Sequence, residues 1–238
     1  KLKVIETPVF LQHQIPFAAY YEPSPKDIEQ QGYYYVTPAK TEDDLGEHNM
    51  VGLKHTCVHE AWPGHHLQFV KANSKPTSST LPRLLNPSAT LYEGWALYCE
   101  QLMHELGFIT EPESRFVLLK DRLWRALRIM IDVGIHTRGL SLEDAANLMQ
   151  EKLGFSKTQA MGDLSWYTHA PGVPMGYATG WSLINKLKEQ QQKQERFNLK
   201  TFHDTLLSSG SIALPLTVVR GFGLSAWQEI HQAVFSQE

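Results

Sequence analysis

His59-Glu60-Ala61-Trp62-Pro63-Gly64-His65-His66 is the stretch on which the reading of this chain turns. A glutamate directly follows a histidine, and a histidine pair follows a Pro-Gly step. In an unbroken helix His59 and His65 would stand about 120° apart around the axis. His59 and His66 would be nearly in line but about 10 Å apart along it. Neither pair could then share one ion. Pro63 lacks an N–H and crowds the carbonyl of His59, while Gly64 tolerates unusual dihedrals. A Pro-Gly bulge is therefore expected to bring a second histidine, His65 or His66, round to the first. Five of the eleven histidines (His48, His55, His59, His65 and His66) fall within nineteen consecutive residues. A solvated surface gives no reason for that clustering, whereas metal or proton chemistry does.

The pattern is a stretched form of HExxH, in which two histidines bind zinc and the glutamate activates its water. Zinc needs a third protein ligand and leaves one position open. The best source is Leu91-Tyr-Glu-Gly-Trp-Ala-Leu-Tyr-Cys-Glu100, where Glu93 and Glu100 lie seven apart on one face of an apolar, aromatic helix. Thr90-Leu-Tyr-Glu93 also has the form of a capping box. The two readings of Glu93 are compatible, and the ligand role is favoured.

The 238 residues (27.1 kDa) suit one domain, and 42% hydrophobic against 20% charged residues can bury a substantial core. No apolar run approaches the roughly 18 residues of a membrane-spanning helix. A net charge of −3 without a basic run argues against nucleic acid. Cys57 and Cys99 supply neither a disulfide framework nor a metal knuckle, and both read as small buried hydrophobes. The chain opens at Lys1 with no initiator methionine or visible signal peptide. It reads as an excised or processed segment, so localisation stays unknown.

The expected fold is α+β and predominantly α-helical. Residues 1–45 are a strand-containing lead-in, in which Val4-Ile5 and Val9-Phe10-Leu11, then 16–21 and 32–36, read as two or three short strands. Residues 46–238 form the helical metal-site region. Helices are expected at about 47–71, 90–106, 110–135, 141–153, 174–195, 198–208 and 224–236. Thr110-Glu-Pro-Glu113 resembles a capping box that opens the third of these, and Gly154 stops the fourth.

Asp121, Arg125, Arg128, Asp132 and His136 form a polar stripe on an otherwise apolar helix. One reading is a solvated face or a buried ladder of ion pairs. The other is a cleft wall, in which His136 helps polarise a substrate carbonyl, Asp132 orients it, and Arg128 holds a substrate carboxylate.

HEAWPGHHLQ, EGWALYCE, DVGIH, the Pro-Gly…Gly-Tyr segment and FHDTLLSSG occur in that order. Together they resemble the bacterial family named "domain of unknown function 885", a branch similar to the gluzincin zinc peptidases, whose members are substantially longer. The chain looks like their C-terminal, motif-bearing part. The resemblance implies a gluzincin-like helical domain, one Zn2+ held by His59, His65 and Glu93, and Glu60 as general base. It also implies that Tyr177 or His169, from the late Gly-rich segment, stands over the zinc and stabilises an oxyanion. Gluzincins often place a glycine just before the second histidine ligand. Pairing that glycine with Gly64 selects His65 and turns His66 toward the substrate cleft or the surroundings of the ligands. Where the family usually carries a glutamine and a lysine, this chain has Val173 and Ala178.

The expected function is zinc-dependent hydrolysis of peptide bonds, with a peptide as partner. Two histidines and a carboxylate also suit a non-haem iron oxygenase, and a non-catalytic, metal-stabilised binding module is the third reading.

Overall fold

The computed structural model describes residues 1–15, 17–40, 49–74 and 87–236. His48 and the loop expected at 75–82 lie outside them, as does Pro16. The front of the chain is a three-stranded sheet of β1 (Leu2–Glu6), β2 (Ala18–Tyr21) and β3 (Gly32–Val36), in the order β1-β3-β2. β3 pairs parallel to β1, with Val4 opposite Tyr34, and antiparallel to β2, with Tyr20 opposite Tyr34. Aromatic and β-branched residues suit this pleated, half-buried surface. Among the described residues β2 therefore has a strand on one side only. Val9–Leu11, expected as a strand, is a 3-10 turn entered from Pro8, which fixes its own φ and donates no hydrogen bond.

The expected helix over 47–71 is two helices, α1 (Met50–Glu60) and α2 (His65–Ser74). They are followed by α3 (Ala89–Glu105), α4 (Pro112–Thr137), α5 (Leu142–Leu153), α6 (Lys157–His169) and α7 (Val173–Gln191). Then come α8 (Leu199–Leu206), α9 (Leu214–Phe222) and α10 (Leu224–Phe235). The fold is α+β and predominantly α-helical. No helix of the described residues is long and apolar enough to cross a membrane.

Two of the expected caps are not formed. α3 starts one residue early, with Ser88 at its N-cap position. This frees Glu93 from the capping role. α4 is capped at Glu111, with Pro112 in its first turn, so Thr110 and Glu113 do not form a box. Ser141 does cap α5, accepting from the Asp144 N–H, and Gly154 ends it in the left-handed region at φ 70°. α6 and α9 were not expected. Gly162, Ser165 and Thr168 blur the apolar pattern of α6, although Ala160, Leu164 and Tyr167 bury one face at helical spacing.

One buried cluster joins α3 and α7 to α8, α9 and α10 through Leu91, Trp95, Tyr98, Ile184, Leu187 and Val218. A second joins α4, α5 and α6 through Leu127, Ile131, Met149, Leu164 and Tyr167. α4 and α3 both pack on α7, so α7 connects the two cores. α3 and α7 cross with their backbones in contact. A Cβ on Gly180 would sit 2.0 Å from the Thr90 carbonyl oxygen, and one on Gly94 would sit 2.5 Å from the Gly180 carbonyl carbon. No side chain fits in that crossing.

Candidate metal centre

The break between α1 and α2 is built from Ala61-Trp62-Pro63-Gly64, with a cis peptide bond before Pro63. Rather than bulging within one helix, the chain stops and restarts. The Gly64 N–H donates to the Val58 carbonyl at 3.0 Å, and a Cβ on Gly64 would lie 1.9 Å from the His59 carbonyl oxygen. Trp95 Nε1 donates to the Pro63 carbonyl at 2.9 Å, and the Cys99 thiol reaches the same oxygen at 3.5 Å. The turn is thus anchored to α3, the helix that carries Glu93 and Glu100.

This places His59 in the last turn of α1 and His65 at the start of α2, with their rings edge to face. Glu93 Oε2 lies 3.4 Å from His59 Nε2 and 3.3 Å from His65 Nε2. His59, His65 and Glu93 are each at most 8% exposed, and their ligand atoms lie within 4.8 Å of one another. Glu93 Oε2 is buried without a well-formed hydrogen bond. Ligands bound tetrahedrally at 2.0–2.1 Å stand about 3.3 Å from each other. Glu93 Oε2 stands at that separation from both ring nitrogens and has no well-formed hydrogen bond, so the three residues fit the donor set of a metal site.

Glu100 completes the arrangement. Its Oε1 lies 2.7 Å from His59 Nδ1. With Nδ1–H donating to Glu100, Nε2 is the ring nitrogen that faces Glu93 and His65. Burial opposes charge on His59, but the hydrogen bond to Glu100 and the nearby Glu93 carboxylate outweigh it and push the imidazole up to about 10. Burial likewise favours neutral carboxyls. The charge of His65 and bonding to His59 outweigh it at Glu93, and bonding to His59 does so at Glu100, so both stay below the usual carboxylate range.

Two chambers meet at His59, Glu60 and Tyr177. The larger, of about 370 Å³, is walled by Ala19, Tyr20 and Glu22 on one side and by Phe69 and Tyr92 on the other. The smaller, of about 240 Å³, is walled by His55, Glu100, Asp121, Trp124, Arg125 and Arg128. Glu60 borders both. The Tyr177 ring stacks on His59 at 6.4 Å, and burial, followed by the Glu93 charge, pushes its hydroxyl well above the usual phenol range. Tyr177 is therefore a neutral hydrogen-bond donor beside the cluster.

A family profile described as "Bacterial protein of unknown function (DUF885)" matches residues 1–221. The chain belongs to this family. Two solved structures resemble this DUF885 chain. One, described as a "putative lipoprotein" from Colwellia psychrerythraea, superposes with a TM-score of 0.81 at 27% identity over 100% of the chain. The other, a "putative lipoprotein of unknown function" from Shewanella oneidensis, does so with 0.76 at 31% identity over 91%. The DUF885 chain spans 38% and 39% of the length of these two proteins. No curated protein shows a match.

Other expected site residues of the DUF885 chain are placed differently. His66 is fully buried beside the cluster, with Nδ1 2.9 Å from the Tyr20 hydroxyl, and burial lowers its pKa to about 4. It faces Tyr20 instead of substrate. His136 lies two turns beyond Arg128 and borders neither chamber. Its Nε2 is 3.2 Å from the Tyr167 carbonyl and 3.4 Å from Asp132, whose carboxylate accepts from the Gly172 N–H. His169 is exposed at the end of α6, against the Ser165 carbonyl. The structure brings neither histidine to the cluster. Arg128 does border the smaller chamber, but its Nε donates to the Tyr167 hydroxyl at 2.8 Å and its Nη2 faces Asp163 at 3.3 Å. His55 pairs with His104, and Cys57 is exposed where a buried residue was expected. Glu100 and Tyr20 were not singled out for their roles here, although the seven-residue spacing of Glu93 and Glu100 already put both on one face.

Proposed function

We propose that this chain carries the reacting centre of a zinc-dependent peptide-bond hydrolase. The observation that carries the reading is the buried cluster of His59, His65 and Glu93, with Glu100 behind His59 and Glu60 beside it. A zinc ion bound there supplies a Lewis acid and lowers the pKa of a coordinated water. Glu60, open to both chambers, takes the proton of the attacking water and delivers it to the leaving amine. The neutral Tyr177 hydroxyl donates to the oxygen on which negative charge develops. β2 borders the larger chamber through Ala18, Ala19 and Tyr20, and its edge away from β3, unpaired among the described residues, accommodates an extended peptide backbone by strand addition.

The test loads the protein with zinc, counts the metal by elemental analysis, and follows cleavage of a mixed peptide library. One zinc per chain, cleavage abolished by a chelator, and a Glu60→Gln variant that keeps the metal but not the turnover are expected. Stoichiometric iron with oxygen consumption, or bound zinc with no cleavage by a full-length relative, overturns the reading.

A further inference from the structure

The smaller chamber contains two arginines that differ in how their donors are used. Arg128 is held by Asp163 and the Tyr167 hydroxyl, with its guanidinium 4.3 Å from the Trp124 ring centre and 4.6 Å from that of Tyr177. Arg125, three residues earlier on α4, lies 4.1 Å from the Trp124 ring centre. Its Nε and Nη1 are shielded from water and make no hydrogen bond. Among the described residues its ion-pair partner is Asp121, at 3.3 Å from Nη1. Of the other acids that line the chamber, Glu100 is bonded to His59 and Glu60 lies at the junction with the larger chamber, while Asp163, outside the lining, binds Arg128 and the Tyr167 hydroxyl. A buried guanidinium with unfilled donors carries a desolvation cost that a charged acceptor relieves. Guanidinium presents its donors in a planar fork that matches carboxylate.

We propose that the Arg125 side of this chamber is a subsite for a substrate carboxylate, with Trp124 and Arg128 as the wall that positions Arg125. Resting on the hydrolase reading, the proposal makes the preferred substrates peptides with a carboxylate close to the cleaved bond, because the chamber shares His59, Glu60 and Tyr177 with the reacting centre. Burial raises the pKa of Asp121 even against the opposing charge of Arg125. At 3.3 Å and with no hydrogen bond made to Nε or Nη1, Asp121 leaves the fork of Arg125 unfilled for an incoming anion. The carboxylate comes from the chain end or from an acidic side chain, and the experiment separates these sources.

Binding is measured by calorimetry on zinc-loaded Glu60→Gln protein, so that hydrolysis plays no part. The probes are acetyl-Ala-Ala-Ala with a free carboxylate, the same peptide as its C-terminal amide, and acetyl-Ala-Glu-Ala amide. The free acid or the Glu peptide is expected to bind about 10- to 100-fold more tightly than the neutral amide, the range for one charge-assisted hydrogen bond. Tighter binding of the free acid alone assigns the subsite to chain ends. Tighter binding of the Glu peptide assigns it to acidic side chains.

Adding Arg125→Gln is expected to reduce the preference to within about 3-fold, with Arg125→Lys in between. The Lys variant also serves where Gln does not fold, and zinc content reports folding in each. Equal binding of all three probes, or a preference that survives Arg125→Gln, overturns the subsite. Zinc stoichiometry and chelator-sensitive cleavage by the parent chain report separately on the hydrolase reading.

Discussion

Glu100 holds the His59 ring, and removing it should weaken metal binding although Glu100 is not a ligand. The contact is short, at 2.7 Å between His59 Nδ1 and Glu100 Oε1, and both side chains are at most 10% exposed. Hydrogen bonds to charged groups contribute about 1.5–3 kcal/mol, against about 1 kcal/mol for neutral pairs. Glu100→Ala removes the whole interaction and frees the ring to rotate. Zinc affinity is expected to fall about 10- to 100-fold, as for other residues that orient a metal-bound histidine. Glu100→Gln can still accept from Nδ1 but loses the charge, so a loss of about 5- to 10-fold is expected. Glu93→Gln should be worse than either, because it replaces a carboxylate ligand. Competition titration against a chromophoric chelator measures all three on one scale. Wild-type affinity in Glu100→Ala would refute the assignment of Glu100 as the group that sets the His59 tautomer.

His65→Ala should lose stoichiometric zinc while His66→Ala keeps it, because His66 is bonded to Tyr20; elemental analysis of both variants decides this. Gly180→Ala forces a methyl group against the Thr90 carbonyl and should destabilise the fold by about 1–3 kcal/mol or more, read from the urea midpoint. It should also lower zinc content, since α3 bears Glu93. His203, whose Nε2 meets the Tyr98 hydroxyl at 2.8 Å, has a pKa lowered by burial and then by Lys188 to about 4. The unfolded chain binds that proton near pH 6.5. Stability from this group is therefore present above pH 6.5 and falls as pH drops toward 4, by about 3 kcal/mol at most. Thermal melts of wild type and His203→Gln across this window should diverge below pH 6.5, with the variant less sensitive to acid.

The candidate metal centre is legible because its members lie in two short segments whose residue types have few other uses. His59-Glu60 and Glu93 needed only a way to meet. The chain break at Ala61–Gly64 provides it more fully than a bulge would, because a new helix starts with His65 already turned inward. Assigning His136 to the site failed for a reason of geometry. Spacing along α4 gives the angle around the axis, but which turn abuts the cluster depends on how α1 and α7 lie across it. Eight residues past Arg128 amount to about 12 Å, which takes His136 out of reach. The resemblance puts His169 in a late Gly-rich segment near the cluster, but it ends α6, and the exposed end of that helix carries it away. The false capping boxes at Thr90 and Thr110 show the weakness of a four-residue pattern. Ser88 and Glu111 start those helices, and in α3 this leaves Glu93 free to turn toward the histidines.

The glycine crossing of α3 and α7 also bears on how this site can change. Glu93 adjoins Gly94, and Tyr177 lies one turn before Gly180, so donor and hydroxyl are tied to two backbones that touch. Sliding one helix along the other moves both glycines out of register and lodges a side chain where none fits. The spacing between Glu93 and Tyr177 is thus a fixed dimension of the scaffold, insensitive to changes in surrounding loops. The chamber walls carry no such backbone constraint, since Tyr92, Asp121 and Arg125 border the two cavities through their side chains. Changes to those walls can alter what the cavities admit while the candidate metal centre keeps its dimensions.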